Sequence, residues 1–235
     1  MNKETAGSKR GILMKFIKKS KELIKKYRHA WVFLYAFIYM PWFLYLEKHV
    51  TSHYYIIHSP LDDYIPFIEY FIIPYYLWFA FMVVSVMYFF FTDKTGFYRI
   101  ASFLIIGMTA FLVICTIFPN GLNLRPTVFV RDNFCIDLVK ALYATDTPTN
   151  VLPSIHVFNT LGVLIAVAHS DKLKSHKIIK CAIYILGILI VLSTVFLKQH
   201  SVTDVIAAFV MACVVYPIVY ASQMRKATRF SHQPI

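Results

Sequence analysis

Runs of apolar residues with few charges inside them recur along the chain, at Ala30–Leu46, Phe71–Thr92, Ile100–Phe118, Ser154–Ala168, Ile178–Leu197 and Val202–Ala221. A hydrocarbon core about 30 Å thick takes roughly 20 apolar residues of helix to cross, so the pattern predicts six membrane-spanning helices. The fourth run is the weakest, because it is short and Asn159 and Thr160 interrupt it. Between the runs, two polar connections are long. The first, from Lys48 to about Tyr70, holds Asp62 and Asp63, with Pro66 and Pro74 marking bends at the entrance to the second helix. The second, from Pro119 to Pro153, contains a stretch that reads as a short interfacial helix with Phe134, Leu138, Ala141 and Leu142 on one side. There is no internal repeat and no separate soluble domain.

Composition agrees with this reading. Of the 235 residues, 58% are hydrophobic and 15% charged, and the mean hydropathy is +0.59, which argues against a soluble domain. Phe and Tyr together number 37, too many for a disordered chain. Four cysteines, Cys115, Cys135, Cys181 and Cys213, form no CxxC pair, and the three in apolar runs read as small core residues. A net charge of +12 on a soluble protein would suggest nucleic acid. Here the basic residues flank apolar runs, so the lipid bilayer is the partner they point to, with no nucleic acid.

The distribution of those charges gives an orientation. Of the 24 Lys and Arg residues, 19 fall on the side of the termini; only Lys48, Arg125, Arg131, Lys140 and Lys198 fall on the other. Basic loops stay cytoplasmic, so both termini are expected there. Residues 1–28 interleave Ile12, Leu13, Phe16, Ile17, Leu23 and Ile24 with lysines, the pattern of a basic amphipathic segment on an anionic leaflet; a solvated topogenic tail is the competing reading. The expected organisation is all-α: this segment, a six-helix integral membrane bundle over 29–222, and a cytoplasmic tail over 223–235. Short loops and the absence of a cleaved signal point to a bacterial cell membrane.

Ionisable residues at the ends of apolar helices need a reason. Three outer segments carry them: Arg125 in NLRP, Ser154 and His156 in PSIH, and Lys198, His200 and Asp204 in STVFLKQHSVTD. His200 and Asp204 are four apart and share a helix face, so the carboxylate can fix one imidazole nitrogen and leave the other as a nucleophile. Ser154 and His156 follow Pro153 at a helix start, where free N–H groups favour phosphate. Arg125 and Lys198 add positive charge. Taken singly, each has a plainer alternative: an ordinary helix-face pair, a Pro-Ser cap, a snorkelling arginine, a topogenic lysine.

In order along the chain, the motifs xRP, PSxH and Sx6HxxxD resemble the type 2 phosphatidic acid phosphatase superfamily of six-helix integral membrane lipid phosphatases. The resemblance implies catalysis without metal or other cofactor, through a phosphohistidine on the extracytoplasmic face. It implies His200 as nucleophile, Asp204 as its orienting carboxylate and His156 as general acid, with Ser154 and Arg125 holding phosphate oxygens. Two family cations are missing, since Phe118 and Thr194 occupy their positions, and Lys198 is the residue available to replace them. The motifs are also similar to those of inositol phosphorylceramide and sphingomyelin synthases, which transfer a phospho-headgroup to a lipid alcohol. The substrate implied is a membrane lipid phosphate or diphosphate. A metal hydrolase using His156, His200 and Asp204, and a transporter or scaffold, are the remaining alternatives. His49, His53 and His58 read as solvated rather than metal-binding, and Trp31, Trp42 and Trp78 as interfacial belt or packing residues.

Overall fold

The computed structural model describes Met14 and residues 18–231, the stretch 222–231 by its backbone alone. Of the expected amphipathic segment, Ile12, Leu13, Phe16 and Ile17 lie outside the described residues, while Leu23 and Ile24 are exposed on a helix over 18–26. Two compact units divide the chain, one ending at Ile38 and the other starting at Tyr39.

A 3₁₀ helix, Arg28–Tyr35, is followed by α1 (Ala36–His49), α2 (Pro60–Tyr64), α3 (Ile72–Thr92), α4 (Lys94–Ile117), α5 (Phe134–Thr145), α6 (Ile155–Ala168), α7 (Lys177–Phe196) and α8 (Val202–Ser231). The strand content of the described residues is a two-residue parallel ladder joining Tyr55–Ile56 to Asn120–Gly121. Five helical stretches are long and apolar enough to cross a membrane: Arg28–His49, Glu69–Thr92, Lys94–Ile117, Lys177–Phe196 and Val202–Ala221. Pro74 falls in the first turn of α3, where its missing N–H costs no helical hydrogen bond. The backbone of α8 continues past the apolar run to Ser231.

The fourth expected span differs. It folds as α6, whose 14 residues extend roughly 21 Å at 1.5 Å per residue, short of the apolar thickness. Among the described residues, five helical stretches are thus long enough to span, and α6 is a shorter apolar helix. Position explains why α6 tolerates its polar residues: it packs against α3, α4, α7 and α8, and Asn159 and Thr160 are buried there. Close approach is secured by Gly107 of α4, where a Cβ would lie 2.0 Å from the Phe158 ring. Phe158 in turn stacks on Phe103 at 4.6 Å. Helices in lipid gain little from hydrophobic association and rely on such small-residue contacts.

On the outside, Val83, Val84, Ile185, Ile188, Ile206 and Val210 are exposed, as a lipid-facing surface requires. The same fact corrects the reading of the cysteines: Cys115 is buried, but Cys181 and Cys213 are exposed, because in a membrane an apolar run has an outward face too. The short helix α5 is present, with a different buried face from the one expected. Ile136, Val139 and Leu142 are buried and Phe134 is exposed, since α5 packs with Ile72, Tyr75 and Leu197 in a tertiary cluster.

Candidate active site

The turn between α7 and α8 is fixed by backbone bonds before any side chain acts. The amides of Gln199 and His200 both donate to the Thr194 carbonyl, at 3.0 Å each, and Lys198 takes a left-handed φ of 53° to reverse the chain. At the start of α8 the carboxylate of Asp204, fully buried, accepts from the Ser201 amide at 2.9 Å and from His200 Nδ1 at 3.4 Å. His200 Nε2 is thereby left as the ring nitrogen without a role in this pair.

A clasp from the first outer connection secures this turn. Ser59 and Asp62 form a capping box on α2. Asp62 also accepts from Ser201 Oγ at 2.6 Å and the Val202 amide at 2.8 Å. From the other side Lys198 Nζ donates to the carbonyls of Asp62 (2.7 Å) and Ile65 (2.5 Å). Burial holds the Lys198 ammonium below the ordinary lysine value, against the opposing pull of Asp62 and Asp63.

His156 enters from α6. Ser154 caps this helix, its hydroxyl accepting from the Val157 amide at 3.4 Å, and its own amide donates to the Asp204 carbonyl at 3.2 Å. Two motif segments are thus tied together by main-chain contact. A third joins through Asn120, whose Oδ1 accepts from the amides of Val151 and Leu152 at 2.9 and 2.8 Å. The His156 ring lies against Tyr75 and Trp78 of α3, with centroids 4.8 and 4.3 Å away, and 5.8 Å from the His200 ring. Trp78, expected at the membrane interface or in packing, is a wall of this site.

Both imidazoles line a cavity of about 610 Å³, and Asn159, Gln199, Glu47 and Asp146 line it too. Arg125, Ser154, Lys198 and Asp204 are not among its lining residues. Arg125 stands behind the wall. It donates to the carbonyls of Asp146 (2.7 Å) and Thr147 (3.2 Å) and to Gln199 Oε1 (2.5 Å), lies 3.9 Å from the Asp146 carboxylate, and covers the Tyr143 ring at 4.6 Å. Burial lowers its pKa, with Asp146 opposing the shift; burial also raises that of Asp146, against the attraction of Arg125.

Gln199 was not legible as a functional residue from spacing. Its Oε1 is held by Arg125, and its Nε2, buried beside His200, has no hydrogen-bond partner. The positions of the two absent family cations are neutral: Phe118 stacks on Tyr55 at 4.7 Å, and Thr194 is fully buried with its hydroxyl on the Val191 carbonyl. Elsewhere, His49 bonds the Tyr45 carbonyl and His58 bonds Asp63. Among the described residues no group of three or more His, Cys, Asp or Glu is placed to hold a metal ion.

A family model described as PAP2 superfamily matches residues 100–227, which include the turn, α6 and the Arg125 segment. No curated protein and no solved structure matches the chain.

Proposed function

The chain belongs to the PAP2 superfamily, and from that premise we propose that it is an integral membrane lipid phosphatase working through a phosphohistidine on the extracytoplasmic face. The substrate is a lipid phosphate or diphosphate of the phosphatidate, phosphatidylglycerophosphate or prenyl diphosphate type. It reaches the cavity laterally, between helices, from the bilayer. The observation that carries the reading is the pair of imidazoles, 5.8 Å apart across one cavity, with a buried carboxylate on the far side of one of them. Reacting atoms approach to about 3–3.5 Å, and both rings border the same cavity, so a phosphoryl group bound in it is within reach of both imidazoles.

In this mechanism His200 Nε2 attacks phosphorus while Asp204 holds the opposite nitrogen and stabilises the developing imidazolium. His156 gives its proton to the departing lipid oxygen, then takes one from the water that cleaves the N–P bond. Charge spreading onto the equatorial oxygens needs fixed donors. We assign this role to Gln199 Nε2, with Arg125 acting through the Gln199 amide, and to the α6 N-terminus shaped by Ser154. A preorganised donor of this kind contributes about 3 kcal/mol to the transition state. Lys198, tied to the α2 connection, holds the nucleophile's turn in place. None of these steps routes through a metal or organic cofactor.

The bias of 19 in 24 basic residues toward the terminal side supports cytoplasmic termini and an outward site in a bacterial cell membrane. Full-length protein in detergent, given phosphatidate, phosphatidylglycerophosphate and prenyl diphosphates, is expected to release inorganic phosphate, with EDTA present or absent. His200→Ala is expected to release none; retained turnover would remove the assignment. A second reading, transfer of the headgroup to a lipid alcohol, is favoured by the apolar part of the cavity, where Tyr39, Met40, Phe43, Phe79 and Met82 offer a surface for the acyl chain of an acceptor.

A further inference from the structure

A cavity built for a phosphate dianion alone should be lined by cations. This one is not: no Lys or Arg is among its lining residues, while Glu47 and Asp146 both are. Asp146 has Arg125 at 3.9 Å as a counter-charge. Glu47, at the outer end of α1, has neutral partners: Thr147 Oγ1 donates to it at 2.5 Å and Asn150 Nδ2 at 2.9 Å. Arg125, which faces Asp146, attracts Glu47 only from beyond ion-pair distance, so a carboxyl group at the end of a membrane helix, bonded by neutral groups and facing a cavity, is a place for an opposite charge.

A second observation points the same way. Asn150 and Asn159 are 6% and 3% exposed, both line the cavity, and the side-chain oxygen of each has no hydrogen-bond partner. The neighbourhood thus offers carboxylate and amide oxygens and asks for N–H donors. Around it stand Tyr39, Phe43, Tyr75, Tyr76 and Trp78, aromatic faces of the kind that attract organic cations. A chain of contacts joins this region to the nucleophile: Gln199, next to His200, is held by Arg125, which also holds the Thr147 carbonyl, and the Thr147 hydroxyl bonds Glu47. Glu47 and His200 line the same cavity, so one bound molecule can present its phosphorus to the imidazole and a cationic group to the carboxylate.

We propose that Glu47, with Asn150 and Asn159, forms a subsite for an ammonium group, and that the substrate is a phospholipid carrying an amine close to its phosphate. This inference rests on the phosphohistidine reading and narrows its substrate class. Two sources share the chemistry: an amino-alcohol phosphodiester headgroup such as phosphoethanolamine, and the phosphate of a long-chain amino alcohol. In both, the His200 Nε2–P bond forms as the P–O bond to the lipid alcohol breaks, and His156 protonates the departing oxygen. Water then adds to phosphorus and frees His200, releasing phosphoethanolamine from the first source and inorganic phosphate from the second.

The test compares matched lipids with and without the ammonium charge. Full-length protein is assayed on phosphatidylethanolamine against its N-acetylated form, and on a long-chain base phosphate against its N-acetylated form, with phosphatidate as the amine-free reference. At least one amine lipid is expected to exceed its acetylated partner tenfold or more in kcat/KM. Whichever pair responds identifies the source. Glu47→Gln, which keeps the shape and the Thr147 and Asn150 contacts, is expected to bring that ratio near one. Equal rates within both pairs for the unaltered protein overturn the subsite, without needing any variant, and leave the phosphohistidine reading standing if His200→Ala still abolishes phosphatidate turnover. A ratio that survives in a normally melting Glu47→Gln protein overturns the subsite too. Activity on these lipids that persists in His200→Ala overturns the reading beneath it.

Discussion

The two ends of the cavity are built in different ways. The histidine end is made from the first turns of two helices: His200 and Asp204 are four residues apart in sequence, and Ser154, Ile155 and His156 are consecutive. The carboxylate end is made across the chain, with Glu47 meeting Thr147 and Asn150 about a hundred residues away. Exposure differs as well. Asp204 is fully buried and His200 nearly so, whereas the Asp146 side chain is 40% exposed. A nucleophile needs fixed geometry to within fractions of an ångström, and short-range backbone bonding supplies it. Recognition of a variable headgroup tolerates a wetter wall whose parts come from separate segments.

Substitutions at each end should separate these roles. The largest effect after loss of the nucleophile is expected at His156: its replacement by Ala removes the proton donor and should lower kcat by about 10²–10⁴-fold. A lipid with an activated aryl leaving group, which needs no protonation, should recover most of that loss in a pre-steady-state assay. Gln199→Glu comes next. The new carboxylate can keep the Arg125 contact while replacing the free N–H by an acceptor, so kcat should fall about 10²-fold with the melting temperature held or raised. A fall in both together would make Gln199 a packing residue. Lys198→Met is smaller still. Losing two hydrogen bonds from an ammonium to carbonyls costs about 1.5–3 kcal/mol each at most, read as earlier melting in a thermal-shift assay and a kcat reduced by about tenfold or less. If Lys198→Met instead raised KM for every lipid while leaving melting unchanged, the lysine would belong to the binding wall.

Legibility in the sequence follows the same division. The five long spans were readable because about 20 apolar residues cannot be hidden in any other arrangement, and the His200–Asp204 face was readable because helical spacing is local. The shortness of α6 was less legible, because its burial comes from four neighbouring helices, which apolar content does not report. Trp78 looked like an interfacial belt or packing residue until α3 placed it against His156. Nothing in the spacing of Glu47, Asn150 or Gln199 singles them out. The significance of Asn150 and Gln199 lies in hydrogen bonds left unmade in a folded cavity, and that of Glu47 in its place on the cavity wall, properties that exist only after the chain has closed. Asp62 sits in a long outer connection where no motif marks it, and its role arises from contacts with Ser201 and Val202 about 140 residues away.

The central claim is that phosphorus becomes bonded to His200. Rapid quenching of full-length protein turning over lipid substrate, followed by mass spectrometry of its peptides, measures that bond directly. An acid-labile, base-stable phosphoryl adduct confined to His200, accumulating in His156→Ala given the lipid with an activated aryl leaving group, is the expected result. An adduct on another residue, or turnover by His156→Ala with no adduct at any time, would contradict it.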